Sequence, residues 1–325
     1  MLSAYRLRGT SLERNVIEGD AQVPDDALWI DLLSPSTAED RLAERALGIS
    51  IPTREEMQEI EISSRLYIES GARYMTATLL CHADTATPKT AAVTFILSGH
   101  RLVTVRYDEP RPFAIVETKL GRLCPSTASG ETLLMDLLDA IIDRSADILE
   151  RIGADVDRIS HDIFEPDGST ADRSRSYNEI LTTIGRQGDL TSKVRESLVS
   201  IGRMLLFVAN ESEGMRWAKD SRAQLKSMQR DVQSLSDHAT YVSGKITFLL
   251  DAMLGLVSLK QNNIIKIFSV AAVVFMPPTL VASIYGMNFK HMPELEWTYG
   301  YPIAIALMLA AAALPYLFFK WKRWL

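Results

Sequence analysis

Two uncharged stretches near the end of the sequence constrain this chain more than anything else in it. Residues 267–285 carry no charged side chain, and neither do residues 302–319. An α-helix needs about 20 mostly apolar residues to cross the hydrocarbon core of a bilayer. Only the 16 residues 286–301 separate the two stretches, and six residues follow the second. The expected ending is therefore a hairpin of two membrane helices. Two helices cannot enclose a polar path by themselves, so any path through the membrane would have to lie between several copies of the chain.

Charge divides along the same line. Before residue 264 there are 39 acidic and 30 basic side chains, and from there onward two acidic and five basic. Lys260 and Lys266 precede the first span, and Lys320, Lys322 and Arg323 follow the second. Between the spans Lys290 stands against Glu294 and Glu296. Positive charge marks the cytoplasmic side, which predicts a multi-pass protein with both termini inside and a short outer loop. The first twenty residues contain no apolar core of a signal peptide, so none is expected. The acidic soluble part argues against nucleic acid as a partner and suits divalent cations, although an ordinary solvated surface gives the same bias. Cys81 and Cys124 match no metal-site spacing and read as reduced thiols.

The organisation expected is an α/β domain over 1–130, a helical stalk over 131–263 and the membrane hairpin over 264–325. Leu28-Trp29-Ile30-Asp31-Leu32-Leu33 reads as a buried strand, and 93–97 with 102–105 as a β-hairpin around Ser98-Gly99-His100. From Glu131 the period becomes helical: Leu134, Leu137, Leu138, Ile141, Ile142, Ile148, Ile152, Val156, Ile159 and Ile163 recur mostly every three or four residues. Pro166-Asp167-Gly168 breaks the run, and a second helical stretch follows over about 173–210. No proline lies between Gly214 and Pro277, which allows one helix of about 100 Å to run from the cytosol through the membrane.

Stepping along that helix by its own period from Asp251 gives Asp251, Gly255, Ser258, Asn262, Ile265, Ser269, Ala272, Met276, Thr279 and Ser283. This face gathers small and hydroxylated residues, and is expected to leave out Lys260, Lys266, Leu249, Leu250, Leu256, Leu259 and Leu280. It describes either a dry helix-packing seam or a water-lined wall. The hydroxyls, one amide and one carboxylate favour the wall, with Ile265, Ala272 and Met276 as rings able to close it by dewetting. Pro277-Pro278 would bend the helix beside Met276 and Thr279.

At the end of the first span stands Gly286-Met287-Asn288. Taken alone this reads as a C-cap with Gly286 left-handed. If several copies end together, however, their last carbonyls converge on an axis and the Asn288 amides form a neutral ring of acceptors. Magnesium resists dehydration. Neutral amides can hydrogen-bond the water shell of such an ion without stripping it, whereas carboxylates would hold calcium or transition metals directly. Glu294 and Glu296 would raise the local cation concentration.

Tyr285-Gly286-Met287-Asn288-Phe289, then Met292-Pro293-Glu294-Leu295, Trp297 and Gly300-Tyr301-Pro302, resemble the CorA family of magnesium channels nearly residue for residue. Phe275-Met276-Pro277, the tail from Lys320 to Leu325 and Trp29-Ile30-Asp31-Leu32 resemble it too. The resemblance implies a funnel-shaped homopentamer in the bacterial inner membrane, with the first membrane helix lining the pore, the second outside it and an α/β domain in the cytosol. It implies uptake of Mg2+, and of Co2+, with no covalently bound cofactor. Gly286, Met287 and Asn288 would form the selectivity mouth, and Thr279, Met276, Asn262 and Asp251 match pore-lining positions. The family also senses cytosolic Mg2+ through acidic residues between protomers. No motif locates those here; Asp84, Asp231 and Asp237 are the candidates. Lys290 departs from the family pattern and is expected to point away from the axis.

Three other readings compete. The zinc-transporting branch of the family typically changes the Met and the loop after it, which this chain keeps. An enzyme would need a nucleotide-binding or catalytic motif, and no Walker A, GxGxxG, GxSxG or HExxH pattern is present. A purely structural anchor would have no use for the polar stripe.

Overall fold

The strands are β1 (Leu2–Arg8), β2 (Ser11–Ile17), β3 (Ala27–Leu33), β4 (Leu66–Glu69), β5 (Ala72–Cys81), β6 (Lys89–Ser98) and β7 (Arg101–Arg106), the last three rich in β-branched and aromatic residues. They build one sheet in the order β2-β1-β3-β7-β6-β5-β4. Neighbouring strands are antiparallel except β3 and β7, which run parallel. The expected hairpin is β6–β7, with Ser98 opposite Arg101, and the expected strand over 28–33 is β3. The computed structural model describes residues 1–19, 21–125, 127–164, 177–214, 217–288, 292–293 and 297–322. Pro166-Asp167-Gly168, Phe289, Lys290, Glu294, Leu295 and Glu296, with the tail from Arg323, lie outside the described residues.

Alternation along the strands gives the sheet two apolar faces, and both are covered. On one, Leu2, Ile30, Leu32, Tyr74, Ile96 and Val103 pack with Ala43 of α1 (Thr37–Leu47) and Met57 of α2 (Arg54–Met57). Ser36 caps α1 reciprocally with Glu39. On the other face Tyr5 stacks on Trp29 at 4.3 Å between ring centroids, and Trp29 and Phe95 each lie 6.1 Å from Phe113 of α4 (Arg111–Arg122). Burying side chains of this size contributes about 1.5–3 kcal/mol each.

Asp31 and Arg106 are buried on this second face. Arg106 donates through Nε at 3.0 Å and Nη2 at 2.8 Å to the two Asp31 carboxylate oxygens. Thr104 Oγ1 adds a 2.7 Å bond to Asp31 and accepts one from the Trp29 indole. Burial acts against the Arg106 charge, but the Asp31 hydrogen bonds and charge outweigh it and raise its pKa.

Four long helices follow: α5 (Gly130–Phe164), α6 (Tyr177–Gly214), α7 (Lys219–Tyr285) and α8 (Gly300–Trp321); a short α3 (Ile62–Arg65) lies before β4. All ten apolar residues that set the period of α5 are buried. Its first residue has to be small: a Cβ on Gly130 would lie 2.5 Å from the Arg101 carbonyl carbon, and the Gly130 N–H donates to His100 O at 2.7 Å. This contact sets α5 against the β6–β7 hairpin. Val232 and Ile246 of α7 lie against Gly202 and Gly188 of α6, where the glycines permit close approach. The buried residues of early α7, including Leu225, Met228, Val232, Val242, Ile246 and Leu249, keep to one side.

α7 is a single helix of 67 residues. The chain divides into two compact units, Met1–Leu250 and Asp251–Leu325, and the division falls inside α7. α5, α6 and the first part of α7 share a unit with the sheet.

Candidate ion path

Two described helices are long and apolar enough to cross a membrane, α7 and α8. Within residues 251–288 the ten stripe residues from Asp251 to Ser283 are all exposed. The sheltered positions of the same stretch include Val270, Val274, Pro277, Val281 and Tyr285. At about 100° per residue these lie on the opposite side of α7 from Ser269, Met276, Thr279 and Ser283. Met276 is 69% exposed and Ile265 54%, so these apolar members of the stripe find no cover within the chain.

One expectation needs correction. Leu280 stands 18 residues after Asn262, which is five full helical turns, so the two share a meridian. The outer end of the stripe therefore carries a leucine beside Thr279. Leu249, by contrast, is buried in the sheet-bearing unit.

α7 continues through Pro277 and Pro278. Proline has no N–H, so the carbonyls of Val273 and Val274 receive no amide from their usual partners. At the next position Thr279 Oγ1 donates to Phe275 O at 2.8 Å.

The helix ends at Tyr285 by tightening. Gly286 N–H donates to Ala282 O at 2.9 Å and Met287 N–H to Ile284 O at 3.3 Å. The C-cap reading fails in one respect: Gly286 is absent from the glycines with positive φ. Glycine is favoured there for another reason, because a Cβ would come within 3.1 Å of Ala282 O. Met287 and Asn288 follow, both exposed. The terminal carbonyls that the last turn leaves without intrahelical donors lie directly before them.

The three regulatory candidates are not brought together. Asp84 follows β5 and is surrounded by arginines: Arg111 Nη1 lies at 2.9 Å, Arg144 Nη2 at 2.5 Å, and Arg151 pairs with the other oxygen. The Arg151 hydrogen bond, joined by Arg144, outweighs the opposing effect of burial and holds the Asp84 pKa down at about 2. Its oxygens are thus committed to guanidinium. Asp231 is exposed on α7 and adds to the negative field that, after burial and Asp143, raises the pKa of Asp139. Asp237 accepts from Gln233 at 3.0 Å. Among the described residues no group of three or more His, Cys, Asp or Glu could hold a metal ion. Sequence reasoning missed the arginine cluster on Asp84; the one available signal was Arg144 and Arg151, seven residues apart on one face of α5.

An α/β unit, a long helix shared by both units and two helices long and apolar enough to cross a membrane define a membrane protein of the two-helix kind. Residues 24–323 match the family described as CorA-like Mg2+ transporter protein, and the chain belongs to that family. It is 36% identical over 325 residues to the magnesium transport protein CorA of Salmonella typhimurium, covering all of both chains. The fold is similar to that of the CorA magnesium transporter from Methanocaldococcus jannaschii, with a TM-score of 0.76 at 17% identity over 100% of this chain and 99% of that one. It is also similar to the ZntB cytoplasmic domain from Vibrio parahaemolyticus, with a TM-score of 0.59 at 9% identity over 79% of this chain and 97% of the other.

Proposed function

We propose that five copies of this chain form a funnel-shaped channel that admits Mg2+, and Co2+, down the electrochemical gradient. The observation that carries this reading is the exposed polar stripe of α7 leading to Gly286-Met287-Asn288, in a chain that belongs to the CorA family along nearly its whole length. Five copies would cover each other's stripes and turn them into one wall. Gly286 lets the helix end tightly, and five Asn288 amides would then meet a hydrated ion with neutral acceptors. Met276 and Ile265 would form apolar constrictions below.

The protein would lie in the inner membrane with both termini in the cytoplasm and would act as a transporter, not an enzyme. An inside-negative potential of 100 mV favours uptake of a divalent cation by roughly 4.6 kcal/mol, so no nucleotide hydrolysis is needed. Cytosolic Mg2+ would act as the closing ligand. Asp231 and Asp237, exposed on α7, are its candidate ligands, whereas Asp84 would first have to leave its arginines.

The test is divalent-ion flux into liposomes holding the purified protein, comparing Mg2+, Co2+ and Zn2+. The expected result is selective Mg2+ and Co2+ uptake, suppressed by Mg2+ on the soluble-domain side and lost in Asn288→Ala. Retained selectivity in that variant would remove the amide ring. Zinc flux driven by a proton gradient would favour the competing reading, a zinc transporter of the same superfamily, to which the fold likeness of the ZntB domain points.

A further inference from the structure

A cavity of about 520 Å³ lies within the sheet-bearing unit, between α3, the start of β4, strand β5 and helix α6. Three guanidinium groups line it, those of Arg65, Arg195 and Arg203, against the single carboxylate of Glu196. Several other arginines of this unit are matched to acids, as in Arg73–Glu211, Arg106–Asp31 and the cluster on Asp84. Among the described residues the three cavity arginines form no ion pair. With three arginines against Glu196, the lining carries a net positive charge in a unit richer in acidic than in basic side chains.

Arg65 is held in position. Its Nε donates to Glu59 O at 2.5 Å and its Nη1 to Thr78 Oγ1 at 3.0 Å, which leaves three of its five N–H groups available. Burial lowers its pKa; Glu196 acts to raise it, and the Arg203 charge lowers it further. Arg195, Val199 and Arg203 are four residues apart and share one face of α6. The backbones of the two arginines are about 12 Å apart along the axis, a spacing that suits an elongated ligand. The remaining wall is mixed: Ile60, Ile62, Leu66 and Val199 supply apolar surface, with Ile60 88% exposed, and Thr76, Thr78, Ser192 and Ser200 supply hydroxyls. The volume lies in the range of about 300–1,000 Å³ usual for small-molecule sites.

We infer that this cavity binds a phosphate-bearing molecule of nucleotide size, with its phosphates on Arg65, Arg195 and Arg203 and its less polar part against Ile62 and Val199. Guanidinium forks match phosphate oxygens bidentately, and an elongated polyanion fits the spacing along α6. Glu196 then accepts hydrogen bonds from hydroxyl or amine groups of the ligand.

The experiment is calorimetric titration of the full-length protein in detergent with ATP, and separately with inorganic phosphate, in magnesium-free buffer containing chelator. ATP is expected to bind saturably, more weakly as salt rises, and at least about tenfold more weakly to Arg195→Ala/Arg203→Ala. Val199→Glu, at an exposed position, is a second variant that should weaken ATP if the first one misfolds. Arg230→Ala, on α7, should bind as the parent does. Absence of saturable ATP binding at millimolar concentration, or parental affinity in both cavity variants, overturns the inference. Inorganic phosphate binding as tightly as ATP would overturn the assignment of a nucleotide-sized ligand.

Discussion

In the sheet-bearing unit a large side chain such as Trp29 or Phe95 is covered by its own chain, and the buried charge of Asp31 meets Arg106 at 2.8 Å. In residues 251–322 the only buried apolar residues described are Met253, Val270 and Ala304, while Phe268, Phe275 and Met276 are each about 70% exposed. Both regions are apolar, yet only the first supplies its own cover. The second encodes surfaces that require something else: lipid for the bulky residues and, in the proposed assembly, other copies of the chain for the stripe. Stability in the first should therefore respond to changes that break internal pairing. Transport in the second should respond to which side of the helix is changed.

The largest expected effect tests that sidedness. Ala272→Phe, on the stripe, should reduce Mg2+ uptake by at least about tenfold, whereas Ile267→Phe, roughly opposite, should leave it near the parental rate. Equal loss in both would remove the pore assignment of the stripe. Next comes Arg106→Met, which leaves the Asp31 carboxylate buried and unpaired; about 3–5 kcal/mol of stability should be lost in denaturant unfolding of the full chain. Gly130→Ala drives a methyl into the Arg101 backbone and should cost about 1–3 kcal/mol in the same assay. A stability unchanged by either variant would show that the sheet-bearing unit tolerates what its packing forbids.

The smallest effect concerns Asp84. Its pKa is lowered from 3.8 to about 2, so its contribution is in place above pH 4 and is lost as the pH falls towards 2. The carboxylate is 40% exposed, which reduces that contribution to under about 1 kcal/mol. Asp84→Asn should lower stability above pH 4 by that small amount, leave it unchanged near pH 2, and so flatten the acid limb between them. An unaltered acid limb would mean that the arginine cluster adds no net stability.

The legible parts of the sequence were those governed by neighbours in sequence. The period of α5, the β6–β7 hairpin, β3 and the long α7 all follow from spacing within a few turns or residues. The sheet order was not legible, because the parallel pairing of Trp29 with Leu102 joins segments more than 70 residues apart. The same holds for Asp84: its partners Arg111, Arg144 and Arg151 lie on α4 and α5, and nothing local marks the convergence. At the candidate mouth, Gly286-Met287-Asn288 stood out as a motif, but the use of its glycine did not. A left-handed cap and a tight approach to Ala282 O require the same residue and cannot be told apart without coordinates.

The turn around Pro277 and Pro278 has a mechanical meaning. A helix resists bending because each amide ties its turn to the one before, and here two consecutive ties are missing while the Thr279 hydroxyl adds one to Phe275 O at 2.8 Å. Compliance is thus concentrated in a single turn, and the back-bonded Thr279 hydroxyl directly after it itself favours a bend. A load along α7 would be taken up at Val273 and Val274 as curvature, and the last two turns, with the tight ending at Gly286, would tilt as one stiff piece.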